Sequence, residues 1–376
     1  MPFDSEGIEQ GIGLALSGGG FRATLFHIGT LWRLNELGIL GRLSRVSSVS
    51  GGSITAGHLA LAWKKLSFDA RGVAANFAAE VADPLRRFCE RNIDGPAIGE
   101  GALLPGRRIS DVVIRAYREH LFGDATLQDL QDEPAAPRFV FNATNLQTGV
   151  SFRFSKPYMG DYLIGLVRRP RNLLAQAVAA SSAFPPFLSP VVVEAPGRFE
   201  AVPGSLLNGN PKFTGTLYLT DGGVYDNMGL ETVWERYSTV LVSDAGAPSD
   251  PVEEVETEWH KQALTAMNVA TAQTRALRKR LLIAEFQRKV RQGAYWGLRS
   301  DIRKYSAPDT LGVRPKLADE IAHLRTRLNP FSGQEQGRLI NFGYALADAG
   351  VRAHAASEIT VSTPPAWPVP AEPLSK

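Results

Sequence analysis

The first 65 residues alternate between short apolar runs and segments with helical spacing. Residues 13–17 and 46–49 are apolar runs of the length of buried strands. The segment from Ile54 to Lys65 suits a helix, and another helix is indicated by the spacing of Ala23, His27, Thr30, Leu34 and Leu37. This order of strand, helix, strand and helix predicts a parallel sheet of the α/β class.

Alternating residues farther along the chain predict an antiparallel hairpin. Phe139 and Phe141 precede a turn at 147–149, and Phe152 and Phe154 follow it, each with polar neighbours. Residues 217–220 and 240–242 predict two further strands.

From about residue 253 the pattern changes, because Leu264, Met267, Ala270, Thr274, Leu277 and Leu281 keep helical spacing. The last sixteen residues contain five prolines, which predicts a flexible, extended tail. We therefore divide the chain into a catalytic domain over 11–244, a mainly helical region packed on it over 245–360, and a proline-rich tail over 361–376.

Composition excludes several classes of protein. The net charge of +3 gives no general reason to expect nucleic-acid binding. Cys89 is the single cysteine, which excludes an internal disulfide framework and fits a reducing compartment. The acidic first residues do not resemble a signal peptide, and no apolar run reaches the length of a membrane span. We expect a cytoplasmic protein without a cofactor or a metal site.

Ser50 lies at a turn between a predicted strand and a predicted helix. Gly51 and Gly52 follow it and allow a tight bend and a close approach of substrate. A serine on such a turn is exposed above the sheet edge, at a helix N-terminus that favours negative charge. The turn therefore predicts a nucleophilic serine, although an ordinary Ser/Gly loop has the same composition.

Two other stretches offer the remaining parts of an acyl-transfer site. Gly18, Gly19 and Gly20 lie at a strand-to-helix junction, where backbone N–H groups can hold an oxyanion. Asp221 ends a strand and is followed by Gly222 and Gly223, which places a carboxylate at a sheet edge. Taken singly, the glycines also suit a dinucleotide-binding turn, and the Asp-Gly pair also suits an ordinary turn.

Together, the three stretches resemble the patatin-like phospholipases, over about residues 11–244. That family combines a G-G-G-x-[RK] loop, a G-x-S-x-G turn and a D-G-[GA] motif in this order. This chain has them as Gly18 to Arg22, Ser48 to Gly52 and Asp221 to Gly223, and the run from Ala179 to Pro186 also resembles the family. One departure is Ser48, which stands where the family has the first glycine of the nucleophile turn.

The resemblance implies a three-layer α/β/α fold with a mainly parallel central sheet. It implies a lipid acyl hydrolase, of the phospholipase A or lysophospholipase type, that uses a Ser50–Asp221 dyad without histidine. It further implies an oxyanion hole at Gly18, Gly19 and Gly20, and it makes Arg22 a candidate for binding a lipid phosphate or for supporting the loop.

Two alternatives stay open on the sequence. Ser48 allows a patatin-fold protein that binds lipids or a partner and has lost efficient turnover. His260, His323 and His354 follow Asp221, as the chain order of a Ser-His-Asp α/β-hydrolase acting on a soluble ester requires.

Two segments predict contacts of the protein with lipid. Residues 275–304 carry ten basic residues against two acidic ones, interleaved with Phe286, Tyr295 and Trp296, which suits peripheral contact with an anionic membrane. Residues 92–107 contain two prolines and four glycines among apolar residues. We expect this second segment to be irregular and to act as a lid over the site, beside residues 184–188. The sequence does not indicate the oligomeric state.

Overall fold

The computed structural model describes residues 7–103, 108–194, 196–246, 251, 253–255, 257–307 and 310–375. The strands in these residues are β1 Glu9–Leu16, β2 Leu43–Ser48, β3 Arg138–Asn145, β4 Ser151–Phe154, β5 Tyr158–Asp161, β6 Gly165–Arg168, β7 Val191–Glu194, β8 Thr216–Asp221, β9 Tyr237–Asp244 and β10 Gln292–Gly297. The α-helices are α1 Gly20–Glu36, α2 Gly51–Ala62, α3 Asp83–Phe88, α4 Asp94–Leu103, α5 Ile109–Tyr117, α6 Leu174–Ser181, α7 Pro211–Thr214, α8 Gly223–Asp226, α9 Glu231–Trp234, α10 Trp259–Gln287, α11 Pro315–Ala322 and α12 Gly333–His354.

The ten described strands form one mixed sheet, in which eight follow the order β10-β9-β1-β2-β3-β4-β5-β6. The other two pair with each other, and β8 also pairs with β3. The five strands from β10 to β3 are parallel, and β4, β5 and β6 continue the sheet antiparallel. This confirms the parallel sheet and the hairpin that the sequence pattern predicts.

Side chains of the parallel strands alternate between two apolar layers, as the twofold period of a strand requires. Leu14, Leu16 and Leu241 point into the larger core, which also contains residues of α1, α2 and α12. Ala15 and Val242 point to the opposite face, where α9 and α10 contribute Val233 and Leu282. The fold is therefore a three-layer α/β/α arrangement, as the sequence analysis expected.

The region after residue 244 is more closely integrated than the sequence suggests. It is mainly helical, but β10 pairs in parallel with β9 and so extends the central sheet itself. Helix α12 packs along α1, where Asp348 Oδ1 and Arg33 Nη2 form a buried ion pair of 2.7 Å. The assigned boundary at residue 244 thus does not separate two cores.

The predicted flexible tail is packed instead. Residues 361–375 lack helices and strands, as their prolines dictate, yet Val361, Val369 and Leu374 are buried. The Nδ2 of Asn341 donates to the carbonyls of Val369 and Glu372, at 2.9 and 2.8 Å. The extended backbone of these residues is held in place by Asn341 of α12. These contacts contradict a flexible tail.

Among the described helices, none combines the length and the apolar composition that crossing a bilayer requires.

Candidate active site

Ser50 lies at the end of β2, immediately before α2. Its φ of 52° and ψ of −122° place a non-glycine residue in a strained region of backbone space, as expected for a nucleophile turn. The helix that follows approaches other backbone very closely, since a Cβ on Gly51 would lie 2.0 Å from the Gly20 carbonyl oxygen. The glycines after Ser50 are thus explained by packing of α2 against the loop before α1.

The hydroxyl groups of the neighbouring serines are hydrogen-bonded to other groups of the protein. Ser47 Oγ donates to the Gly229 carbonyl at 2.5 Å, and Ser48 Oγ donates to the Val140 carbonyl at 3.2 Å. Ser53 Oγ donates to Ser48 Oγ at 2.9 Å. Ser50 is the member of this group whose hydroxyl is hydrogen-bonded to Asp221. The hydroxyl of Ser48 is accommodated below the turn, so this departure from the family pattern leaves the Ser50 turn intact.

Asp221 reaches Ser50 because two strand ends meet along one edge of β3. The last residue of β2, Ser48, pairs with Phe141, and the last residue of β8, Asp221, pairs with Ala143 two positions farther along β3. The two strands run toward each other, since β2 is parallel and β8 is antiparallel to β3. Their ends therefore bring the serine turn and the carboxylate together.

Burial controls the acidity of Asp221. Its side chain is 2% exposed, and desolvation raises its pKa to about 7. Hydrogen bonds from the Gly223 N–H, at 2.6 Å to Oδ1, and from the Ser50 hydroxyl act in the opposite direction and stabilise the ionised form. The carboxyl group can therefore both accept and release a proton near neutral pH.

Ser181, at the end of α6, joins the parts of the site, and the sequence analysis did not identify it. Its carbonyl accepts from the N–H groups of Ser50 and Gly222, at 3.1 and 3.3 Å. Its Oγ donates to the Asn142 carbonyl at 2.6 Å and accepts from the Ser50 N–H at 3.0 Å. The family-like run from Ala179 to Pro186 marked the region, but only the folded chain shows that Ser181 holds both the Ser50 turn and the Asp221 turn.

The glycine loop lies against the Ser50 turn. A Cβ on Gly18 would lie 3.0 Å from Ser50 Cβ, and Gly19 and Gly20 have φ values of 142° and 57°. The Gly18 N–H already donates to the Asn227 carbonyl at 2.9 Å. No described residue accepts a hydrogen bond from the N–H of Gly19 or Gly20, so we remove Gly18 from the candidate oxyanion donors and keep the other two.

Arg22 is buried and supports the loop. Its Nη1 donates to the Leu324 carbonyl at 2.8 Å, and its Nη2 donates to the Ala245 carbonyl at 2.9 Å. Desolvation lowers its pKa to about 10, although the nearby Asp244 partly offsets this effect. A guanidinium held by carbonyls in the interior is not available to a lipid phosphate, so loop support is the role that fits.

The histidines lie elsewhere. His27 is buried between the Ser17 carbonyl and the Ser243 hydroxyl, each at 2.9 Å, and burial lowers its pKa to about 4. His58 bonds the Glu80 carbonyl, and His120, His260, His323 and His354 are exposed. All six are described residues, and none contacts Ser50 or Asp221. The geometry gives no support to a Ser-His-Asp triad.

In the described part of the chain, no group of three or more His, Cys, Asp and Glu side chains could hold a metal ion.

A segment from the far end of the chain covers the glycine loop. We call residues 325–328 the strap. The Phe21 N–H donates to the Arg327 carbonyl at 3.1 Å, and a Cβ on Gly20 would lie 2.2 Å from the Thr326 carbonyl oxygen. The strap is fixed at its end, because the Leu328 N–H donates to Asp94 Oδ2 at 2.9 Å. Ser50 itself is only 8% exposed, so the site is nearly closed.

The expected irregular lid over 92–107 is largely a helix. Residues 94–103 form α4, because Asp94 and Pro96 suit a first helical turn. The start of this helix meets the strap, and residues 104–107 lie outside the described part of the chain. Phe184 and Phe187, 46% and 55% exposed, follow the Ala183 carbonyl that accepts from the Asp221 N–H. The apolar residues 184–188 thus adjoin the site, and the lid role stays a prediction.

The expected lipid-binding surface over 275–304 is contradicted for its aromatic residues. Trp296 is fully buried in β10, and its Nε1 donates to Thr30 Oγ1 at 3.2 Å. Phe286 and Tyr295 pack against the second core. These aromatic side chains alternate with charge because Phe286 belongs to a helix on one face of the sheet, and Tyr295 and Trp296 belong to its strand β10.

The family described as "Patatin-like phospholipase" matches residues 14–234, which confirms the resemblance seen in the motifs. No curated protein matches the sequence at a significant level.

Solved structures with this fold include human GIVD cytosolic phospholipase A2, at 14% identity and a TM-score of 0.56, with 93% of this chain and 60% of that chain covered. The same enzyme in complex with methyl gamma-linolenyl fluorophosphonate aligns at 16% identity and a TM-score of 0.53, covering 93% and 59%. VipD from Legionella pneumophila aligns at 16% identity, covering 93% and 70%, with a TM-score of 0.38. This chain therefore spans about 60% of the length of the human enzyme's chain.

Proposed function

Since the chain belongs to the patatin-like phospholipase family, we propose that it is a serine hydrolase of lipid acyl esters, with Ser50 as the nucleophile and Asp221 as its base. The observation that carries the proposal is the hydrogen bond between Ser50 and a buried Asp221 whose pKa is raised to about 7. A carboxylate in water is a poor base for a serine hydroxyl, and desolvation supplies the missing basicity.

The reaction follows from this pair. Asp221 takes the proton as Ser50 Oγ attacks the ester carbonyl carbon, and the carbonyl oxygen becomes an oxyanion. The free N–H groups of Gly19 and Gly20, at the N-terminus of α1, are the proposed donors to that oxyanion. Asp221 then gives its proton to the departing alcohol oxygen, which leaves an acyl ester on Ser50.

Hydrolysis repeats the same steps with water. Asp221 takes a proton from the water that attacks the acyl carbonyl, and Ser50 regains its proton as the fatty acid departs. The substrate class, a glycerophospholipid or lysophospholipid acyl ester, rests on family membership and on the exposed Phe184 and Phe187 beside the site. Arg22 acts in this scheme only by holding the loop.

A fluorophosphonate tests the nucleophile directly. The human GIVD enzyme has been solved with methyl gamma-linolenyl fluorophosphonate, and a serine nucleophile of this chain should displace fluoride from the same reagent and form a stable phosphonate ester. Ser50→Ala should abolish labelling, and it should lower phospholipid hydrolysis by about 10⁴-fold or more. Ser238→Ala, at an exposed hydroxyl paired with Gln10, is the matched control and should label normally.

The outcomes separate the candidate functions. Labelling that persists in a folded Ser50→Ala protein contradicts the assignment of the nucleophile. A wild-type protein that never labels, yet binds phospholipid vesicles, is a lipid-binding member of the family without turnover.

A further inference from the structure

Within the described residues, helix α10 contacts the rest of the protein along its second half. In that half, Arg278 Nη2 bonds Glu231 at 2.7 Å, the Lys279 ammonium lies over the Tyr295 ring, and Glu285 accepts from Trp234 Nε1 at 2.7 Å. Leu282 is the one buried residue among all 29. Most stability of a helix in a protein comes from packing of an apolar face. No residue of its first five turns is buried by the described part of the chain.

An apolar stripe runs along the outer side of this helix. Its largest members are exposed: Trp259 by 81%, Leu277 by 49% and Leu281 by 54%. The stripe consists of Trp259, Ala263, Ala266, Ala270, Thr274, Leu277 and Leu281. With 3.6 residues per turn, these positions share one face, opposite Lys279 and Phe286, which contact the body. The stripe therefore points away from the protein.

The stripe is symmetric about Ala270. Its members stand four, seven and eleven positions from Ala270 in both directions. A second copy of the helix, laid antiparallel with the two Ala270 residues facing each other, brings Trp259 against Leu281 and Ala263 against Leu277. Each large side chain then meets a different member of the stripe, and the same contacts occur twice. Such self-complementarity defines the twofold interface of a homodimer. The eleven-residue spacing keeps the stripe on one side of a nearly straight helix.

We propose that α10 pairs antiparallel with α10 of a second copy of this chain, with the twofold axis at Ala270. An interface of this composition is large enough, because the exposed parts of the two stripes sum to about 1,000 Å², near the lower limit of specific interfaces. The bodies do not compete for the same space, since each lies on the far side of its own helix and near opposite ends of the pair.

The charges beside the stripe are compatible with a second copy of this chain as the partner. Gln262, Gln273 and Arg280 flank the stripe on one side, and Arg280 falls beside Gln262 of the other copy. The two Arg280 residues are then about 30 Å apart, beyond the reach of mutual repulsion. A lipid surface instead requires basic residues along the border of the apolar face. Here Arg280 is the basic residue of that border, whereas Arg275 lies 3.9 Å from Asp244 and Arg278 bonds Glu231, both on the side of the rest of the protein.

The full chain is tested by sedimentation equilibrium over a range of concentrations. We expect a dimer, and we expect Ala270→Glu to raise its dissociation constant by about 100-fold or more, because it sets two carboxylates against each other in a dry seam. Asn268→Glu adds the same charge two residues away on the opposite, exposed face and should leave the dimer unchanged. Fluorophosphonate labelling of the variants shows that each is folded.

Oxidative cross-linking tests the register. An Ala270→Cys variant should form a disulfide-linked dimer, because residues on the axis lie within bridging distance. An Asn268→Cys variant should not, and the native Cys89 is buried. A wild-type protein that stays monomeric at all concentrations overturns the proposal, as does a dimer that survives Ala270→Glu. A monomer whose binding to anionic phosphatidylserine vesicles is abolished by Ala270→Glu would identify a lipid surface as the occupant instead.

Discussion

At the scale of residues, Asp221 must be ionised to act as a base, yet its carboxyl group is buried away from water. Only the Gly223 N–H and the Ser50 hydroxyl offset its desolvation. This balance predicts both the pH dependence of activity and a cost in stability.

We expect kcat/KM to rise with pH through about 7, following ionisation of Asp221. One pH unit below that midpoint, the rate should be about tenfold lower, because a tenth of the carboxyl groups are ionised. The profile is best measured with a soluble p-nitrophenyl ester, so that vesicle properties do not change with pH. A rate that stays constant between pH 5 and 8 would rule out Asp221 as the titrating base.

The same burial should make Asp221→Asn more stable than the wild type at alkaline pH. The pKa of Asp221 is raised from 3.8 to about 7 on folding, so the folded protein retains the proton where the unfolded chain has lost it. Stability from this proton is complete below pH 4 and is lost as pH rises through about 7, by up to about 4 kcal/mol. Urea unfolding at pH 4.5 and pH 8.5 measures it, and we expect the gain from Asp221→Asn at the higher pH only. Equal differences at both pH values would contradict the raised pKa.

At the scale of elements, the site depends on where separate segments meet. Strands β2 and β8 end head to head on β3, the end of α6 joins their turns through Ser181, and the strap closes the glycine loop. Of these contacts, the strap is the one that joins the site to the start of α4.

Release of the strap should open the site. Asp94→Ala removes the acceptor of the Leu328 N–H, so we expect faster hydrogen exchange over 325–331 and faster fluorophosphonate labelling of Ser50. The matched control is Asp111→Ala, in the first turn of the neighbouring α5, where the side chain is exposed. Unchanged labelling in Asp94→Ala, together with unchanged exchange over 92–103 when vesicles are added, would contradict a lid at the start of α4.

At the scale of the whole molecule, the sheet and its main core depend on the last third of the chain. Strand β10 extends the sheet, α12 covers α1, and the tail packs on α12. The Thr363 carbonyl also accepts from Arg33 Nη2 at 2.7 Å, so the tail reaches the helix that begins at the glycine loop.

Deletion of residues 361–376 should therefore destabilise the entire protein. It removes three buried apolar side chains and leaves Asn341 without its partners, which we expect to lower the free energy of unfolding by about 4 kcal/mol or more. Deletion of residues 375–376 alone retains Leu374 and serves as the control. Denaturant unfolding followed by circular dichroism measures the difference, and equal stability of both forms would contradict the packed tail.

Local signals in the amino-acid sequence were enough to predict part of the fold and of the site. Apolar runs and helical spacing fixed β1, α1 and β2, because the period of buried positions follows from backbone geometry alone. The glycines around Ser50 and before Arg22 identified two turns, since only small residues permit such close approaches of backbone. Family motifs then indicated Ser50 and Asp221 as partners.

Features that depend on contacts between distant segments are visible only in the folded chain. Residues 171 positions apart in sequence, Ser50 and Asp221, meet because β2 and β8 share an edge of β3. Arg22 is a buried support because carbonyls from residues 245 and 324 surround it, and Gly18 is excluded as a donor because Asn227 takes its N–H. The proline-rich tail is ordered by Asn341. Trp296 belongs to the core because β10 pairs with β9 and α12 packs on it. Composition limits the local structure that a segment can form. Its burial and hydrogen bonding depend on which other segments the fold brings beside it.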